Sequence, residues 1–137
     1  MAAQTISPEQ MSIAQVKEVF DAAYMDTSMT DNNQVQITEG GIKLFVSVDA
    51  DKQLVQYLML FGFKPRTKEQ DQLKLVNDIN SNLVFVRAWS FGNGVALDYS
   101  LPYDGGLPPK QVISAYRWLR KTALAGLQQF DQKGILS

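Results

Sequence analysis

The sequence predicts an α+β protein in which an antiparallel sheet is packed with helices, in the order α-β-β-β-α-β-β-α. Apolar residues recur at helical spacing near both ends of the chain and once in the middle. Between these segments lie stretches of alternating polar and apolar residues, joined by short turns as in β-hairpins. The length of 137 residues suits one domain, so we expect a single domain over residues 1–137 with its core at about 8–130.

The first predicted helix runs from about residue 8 to residue 24. Ser7 is a suitable N-cap, Pro8 occupies the first helical position, and Gln10 stands at the capping-box position. Apolar residues then follow at helical spacing.

Three strands are expected next. Residues 34–38 alternate polar and apolar side chains, and the glycines at 40–41 end this strand. Residues 42–48 and 54–63 form a predicted hairpin around the turn at 49–52.

The third strand is apolar on both faces. One face carries Val55, Tyr57, Met59, Phe61 and Phe63, and the other carries Leu54, Leu58 and Leu60. A sheet covered by helices on one side only would show a polar outer face. We therefore expect the second face to be covered by helices of the same chain, or alternatively by a second copy or a ligand.

A second helix and a second hairpin follow. Thr67 and Gln70 form a capping-box pattern that opens a helix, which ends at residues 80–82. Residues 83–91 and 95–101 are predicted strands joined by a glycine-rich turn.

Two features of the last segments suggest specific contacts. Asp98 lies between apolar neighbours in a strand, and Arg87 on the neighbouring strand would make a cross-strand ion pair with it. Pro108 and Pro109 begin the last helix, in which Trp118 falls outside the apolar stripe and is a candidate anchor for a partner.

Composition excludes several classes of function. The 20% of charged residues is too low for a disordered chain, and a net charge of −1 gives no basic footprint for nucleic acid or an anionic membrane. The absence of cysteine and histidine removes thiolate nucleophiles, the common zinc sites and the Ser-His-Asp triad.

Other polar motifs have simple structural explanations. Asparagines at 77, 80 and 82 could form a recognition site, but capping of the helix and shaping of the following turn are favoured. The glycines after Tyr103 lack the lysine of a P-loop and suit a tight corner. Asp49 and Asp51 alone are too few for a calcium loop.

Several of these segments together resemble a known family. They are Asp49 through Phe63 with the continuation to Pro65, Val76 to Leu83, and Leu101 to Gly106. In combination they are similar to the bacterial YbjN family, described as sensory transduction regulators, over about residues 10 to 130. The motif residues, expected to be structural, are Asn77, Asn80, Asn82, Tyr103, Gly105 and Gly106.

The resemblance implies a fold like that of the class I type III secretion chaperones, which form homodimers and bind extended segments of partner proteins. The matching pattern has no catalytic residues. Those chaperones tend to be strongly acidic, whereas this chain has a net charge of −1.

We therefore expect a cytoplasmic, non-enzymatic module of bacterial signalling or stress regulation, without cofactor or metal, that forms a homodimer and binds an unidentified protein. Tyr57, Met59 and Trp118 are the predicted partner-binding residues. Neither nucleic acid nor membrane is an expected partner.

An alternative function is a small-ligand sensor or an enzyme with a pocket between sheet and helices. Its polar groups would be Arg87, Asp98, Tyr99 or Tyr103. Nucleic-acid binding, which would show steep salt dependence, is a weaker alternative.

Overall fold

The structure is a computed structural model that describes residues 5–137. Its helices are α1 (Ile13–Ala22), α2 (Glu69–Asn82) and α3 (Pro109–Phe130), and its strands are β1 (Asp26–Met29), β2 (Val35–Glu39), β3 (Ile42–Asp49), β4 (Leu54–Gly62), β5 (Arg87–Ser90) and β6 (Gly94–Pro102). The strands form one sheet in the order β1-β2-β3-β4-β6-β5. The predicted α+β class is confirmed, with one strand more than the sequence indicated.

That additional strand is β1. It pairs antiparallel with β2, from Asp26 opposite Thr38 to Met29 opposite Val35. Its four residues show no apolar alternation, so its pairing with β2 stabilises it rather than its own propensity.

The predicted helix over residues 8–24 is divided into two elements. Pro8–Gln10 forms a 3-10 turn, in which the Gln10 side chain accepts a hydrogen bond from the Ser7 N–H at 3.2 Å. Ser12 then adopts an extended conformation and accepts from the Gln15 N–H at 3.1 Å, which starts α1. A second N-cap serine thus interrupts the helix.

The N-terminus of α2 also differs from the prediction. The N-cap is Lys68, and Thr67 accepts a hydrogen bond from the Gln72 side chain at 2.6 Å. The predicted capping box of Thr67 with Gln70 is therefore wrong.

The chain forms two compact units, and the division falls inside β4, β6 and α3. One unit contains the residues up to 57 together with 100–118, and the other contains 58–99 and 119–137. The single domain expected over residues 1–137 stays a prediction.

In the first unit, α1 packs against β1, β2 and β3. The rings of Phe20 and Tyr116 meet edge to face at 5.6 Å. The Tyr57 hydroxyl donates to the Val112 carbonyl at 2.7 Å, and the Tyr116 hydroxyl donates to Glu39 at 2.8 Å. The hydroxyls of both buried tyrosines thus have a hydrogen-bond acceptor.

In the second unit, α2 packs against β5 and buries Leu75 and Ile79. The strand predicted from residue 83 begins only at Arg87, because the chain bends over the preceding residues and Phe85 has a φ of 65°.

Between residues 5 and 137, none of the helices is both long enough and apolar enough to cross a lipid bilayer.

Candidate protein-binding surface

The hairpin of β5 and β6 separates its side chains onto two faces. Ala88 lies opposite Leu97 in the register, and both are buried. Because side chains alternate along a strand, Arg87 and Trp89 lie on the opposite face.

Two backbone hydrogen bonds show how β4 continues this face. The Phe63 N–H donates to the Asn93 carbonyl at 2.8 Å, and the Tyr103 N–H donates to the Gln53 carbonyl at 2.9 Å. Both bonds correspond to the same antiparallel register between the neighbouring strands β4 and β6.

This register aligns three side chains in one row across the sheet. Leu60 stands opposite Ala96, and Ala96 stands opposite Trp89. In the adjacent row, Leu58 stands opposite Asp98 and Asp98 opposite Arg87. One apolar row therefore runs beside one charged pair.

We call this face the Trp89 surface. It consists of Leu58, Leu60, Arg87, Trp89, Phe91, Ala96 and Asp98. Leu60 is 44% exposed and Trp89 is 39% exposed, whereas Ala96 between them is fully buried. The expectation that helices of the same chain cover the second face of β4 is thus wrong at Leu60.

Trp89 is held in place by a carboxylate on the neighbouring strand. Asp98 accepts from Arg87 Nε at 3.1 Å and Nη2 at 2.6 Å, and from Trp89 Nε1 at 3.1 Å. The hydrogen bonds from Arg87 to Asp98 and the Coulomb attraction of Asp98 raise the pKa of Arg87 above its ordinary value. The predicted cross-strand ion pair is confirmed.

Phe91 completes the aromatic part of the surface. Its ring meets that of Trp89 at 6.4 Å and 71°, an edge-to-face arrangement. Gly94 makes room for this arrangement, since a Cβ there would lie 2.8 Å from Phe91 Cζ and 2.1 Å from the Phe61 carbonyl oxygen. The shape of the aromatic pair is therefore set before any partner arrives.

Two of the sequence-predicted partner-binding residues lie elsewhere. Tyr57 and Met59 are fully buried, because the opposite face of β4 forms core. Neither can meet a partner on the folded chain, and the expectation for them is corrected. Trp118 is partly exposed on α3, and its role stays a prediction.

The sequence contained a signal for Trp89 that composition and motif reasoning missed. Once Arg87 is paired with Asp98, a residue two positions further along the strand must share their face. Trp89 therefore follows from the same reasoning that predicted the ion pair.

Comparison with known proteins identifies the family. The YbjN family model, described as "Putative bacterial sensory transduction regulator", matches residues 12–131. The chain belongs to the YbjN family. A sequence search of curated proteins gives no match.

Solved structures share the YbjN-like fold at low identity. The crystal structure of YbjN, a putative transcription regulator from E. coli, matches with a TM-score of 0.75 and 13% identity, covering 93% of this chain and 96% of that one. At this identity the likeness establishes the fold alone.

Two further matches are structures of secretion chaperones in complexes. The structure of the Yersinia pestis type III secretion chaperone SycH with a stable fragment of YscM2 matches with a TM-score of 0.57 and 13% identity, over 83% of this chain and 98% of that one. The HopA1-SchA chaperone-effector complex matches with a TM-score of 0.52 and 13% identity, over 79% of this chain and 89% of that one. The predicted chaperone-like fold is confirmed.

The asparagines of the YbjN-like motif bind the chain's own backbone. The Asn80 side chain accepts from the Ala88 N–H at 2.8 Å and donates to the Ala88 carbonyl at 3.0 Å. Asn82 donates to the Asp78 carbonyl at 2.7 Å. Asn77 is exposed, and its side chain has no hydrogen bond among the described residues.

The glycine corner of the motif is a tight turn. The Gly106 N–H donates to the Tyr103 carbonyl at 2.8 Å. Gly106 has a φ of 84°, and a Cβ there would lie 3.0 Å from the Ile6 carbonyl oxygen. The position favours glycine for backbone reasons, while Gly105 has open space around it and Tyr103 is buried.

The residues proposed for a small-ligand pocket do not line the cavities near α1. One cavity of about 400 Å³ is lined by α1 residues with Pro109 and Ile113, and another of about 320 Å³ includes Tyr24 and Arg117. Arg87 and Asp98 instead bind each other on the open face. Asp49, the other carboxylate considered, accepts from the Lys52 N–H at 3.1 Å within its own turn.

Proposed function

We propose that the protein is a non-enzymatic protein-binding module, a chaperone-like or regulatory adaptor that acts as a homodimer. The Trp89 surface receives the partner. The observation that carries this proposal is an apolar row in which Leu60 and Trp89 are exposed and the tryptophan is fixed by Asp98.

A fixed tryptophan is well suited to binding. Tryptophan is among the residues that dominate binding energies at protein interfaces. Because Asp98 and Phe91 already restrict the indole, little side-chain entropy remains to be lost when a partner packs on it. Leu60 extends the apolar contact, and Arg87 provides a polar rim.

The comparisons support a protein as the ligand. The SycH structure contains a fragment of YscM2, and the SchA structure is described as a chaperone-effector complex. Membership of a family described as sensory transduction regulators supports a regulatory role. The homodimer and the cytoplasmic location stay predictions.

Affinity capture with matched variants tests the proposal. We expect Trp89→Ala to remove a specific protein captured by the wild-type chain, with affinity reduced by roughly thirtyfold or more, as for a hot-spot residue. Leu73→Ala is the matched control, since Leu73 is an exposed apolar residue on α2. Trp118→Ala tests the other exposed tryptophan.

The fold of each variant is checked by circular dichroism before capture. Equal recovery of the same protein by folded Trp89→Ala and by the wild-type chain would contradict the proposed surface. Loss of the protein with Trp118→Ala alone would move the binding site to α3.

A further inference from the structure

The two side chains of the Arg87–Asp98 ion pair on the Trp89 surface differ in their exposure to solvent. The Arg87 side chain is 73% exposed, whereas the Asp98 side chain is 16% exposed. Asp98 also accepts from Trp89, so its oxygens are directed into the surface. Although the pair sums to zero charge, an approaching molecule meets the cation first.

The guanidinium group has donors left for a second acceptor. Asp98 engages Nε and Nη2 of Arg87, and the hydrogens on Nη1 remain for another carboxylate. Arginine is especially suited to this, because its planar group binds carboxylates through parallel hydrogen bonds. The surface therefore has an apolar row and, beside it, a carboxylate-binding position.

The spacing of these two positions matches an extended chain. Arg87 and Trp89 are two residues apart on one strand face. Side chains two residues apart in an extended segment also share a face, at about 6.6 to 6.8 Å. A strand-like segment crossing the surface can thus place one side chain on each position.

Resting on the proposed function, we propose that the partner segment is extended and carries an acidic residue two positions from an apolar one. The apolar side chain packs on the row formed by Leu60, Ala96 and Trp89, and the carboxylate binds Arg87. Electrostatic complementarity at Arg87 selects acidic segments over basic ones.

Three fluorescent peptides test this selection by anisotropy at fixed salt. In the first, leucine and glutamate alternate at every second position, separated by serine and threonine. In the second and third, lysine or glutamine replaces glutamate. We expect the wild-type chain to bind the glutamate peptide about tenfold or more tightly than the lysine peptide, with the glutamine peptide between them.

A charge-reversed double variant provides the sharper test. Arg87→Glu with Asp98→Asn turns the exposed charge negative and keeps an oxygen at position 98 that can accept from Trp89 Nε1, so the preference should reverse towards the lysine peptide. The matched control is Asp71→Asn with Lys133→Glu, which changes the net charge equally, at a pair in which the lysine is 67% exposed and the aspartate 14% exposed. This control should keep the wild-type preference.

The outcomes separate the inference from the proposed function. Equal affinity of the wild-type chain for all three peptides, lost in Trp89→Ala, would overturn the acidic preference and leave protein binding at the surface intact. Failure of the glutamate peptide to bind would also overturn the inference. Loss of preference in the Asp71 and Lys133 control would show that general charge, rather than Arg87, decides binding.

Discussion

Phe85 has a left-handed backbone conformation, with a φ of 65° and 78% of its surface exposed. This conformation is costly for a residue with a Cβ, and asparagine tolerates it better. We expect Phe85→Asn to raise the free energy of unfolding by about 0.5–1 kcal/mol, because strain is relieved and little buried surface is lost. Urea denaturation measures the change.

The control for Phe85 is its neighbour. Val84 is also exposed but lacks the positive φ, so Val84→Asn should not be stabilising. A decrease in stability for Phe85→Asn would contradict the claim that the backbone at Phe85 is strained. If Phe85→Asn is more stable but weakens partner capture, the strained ring contributes to binding.

At the scale of single residues, the sequence predicted the chemistry of the site better than its position. Arg87 and Asp98 could be paired because a short turn fixes the hairpin register. Tyr57 and Met59 were placed on the wrong face because both faces of β4 are apolar, and periodicity alone does not show which face becomes core.

At the scale of elements, Asn80 protects the edge of the sheet. β5 is an edge strand, and the Asn80 amide bonds both the N–H and the carbonyl of Ala88. An unprotected edge invites pairing with other chains. This side chain of α2 therefore substitutes for a neighbouring strand at one position.

Removal of this amide should destabilise β5. We expect Asn80→Ala to lower the free energy of unfolding by about 1–3 kcal/mol, because two backbone groups lose their partner. Amide hydrogen exchange at Ala88 should become faster. Asn77→Ala, on the same helix, is the control and should change stability by less than about 0.5 kcal/mol. Equal effects of both substitutions would contradict the role of Asn80.

The elements that were not predicted correctly from the sequence are those whose position depends on tertiary contacts. β1 consists of Asp26–Met29 and has no strand pattern of its own, yet it pairs along its full length with β2. Residues 83–86 have strand-like composition, but because the chain bends at Phe85, β5 begins only at Arg87. Local propensity and tertiary context disagree at both places.

At the scale of the whole molecule, the near-zero net charge limits how a partner is recognised. With a net charge of −1, the chain has little long-range field to attract a charged partner. Recognition then depends on short-range contacts, and the Trp89 surface offers both apolar packing and one outward cation. Binding should accordingly depend less steeply on salt than nucleic-acid binding does.

The central claim is that the Trp89 surface binds another protein. The most direct measurement places a photo-crosslinking benzoylphenylalanine at Leu60 in the bacterial host, with the same substitution at Leu73 as the control, because both side chains are exposed. We predict that irradiation joins position 60, but not position 73, to a distinct protein, and that adding Trp89→Ala abolishes the adduct. No adduct at position 60, or an adduct only with a second copy of the chain, would contradict the account.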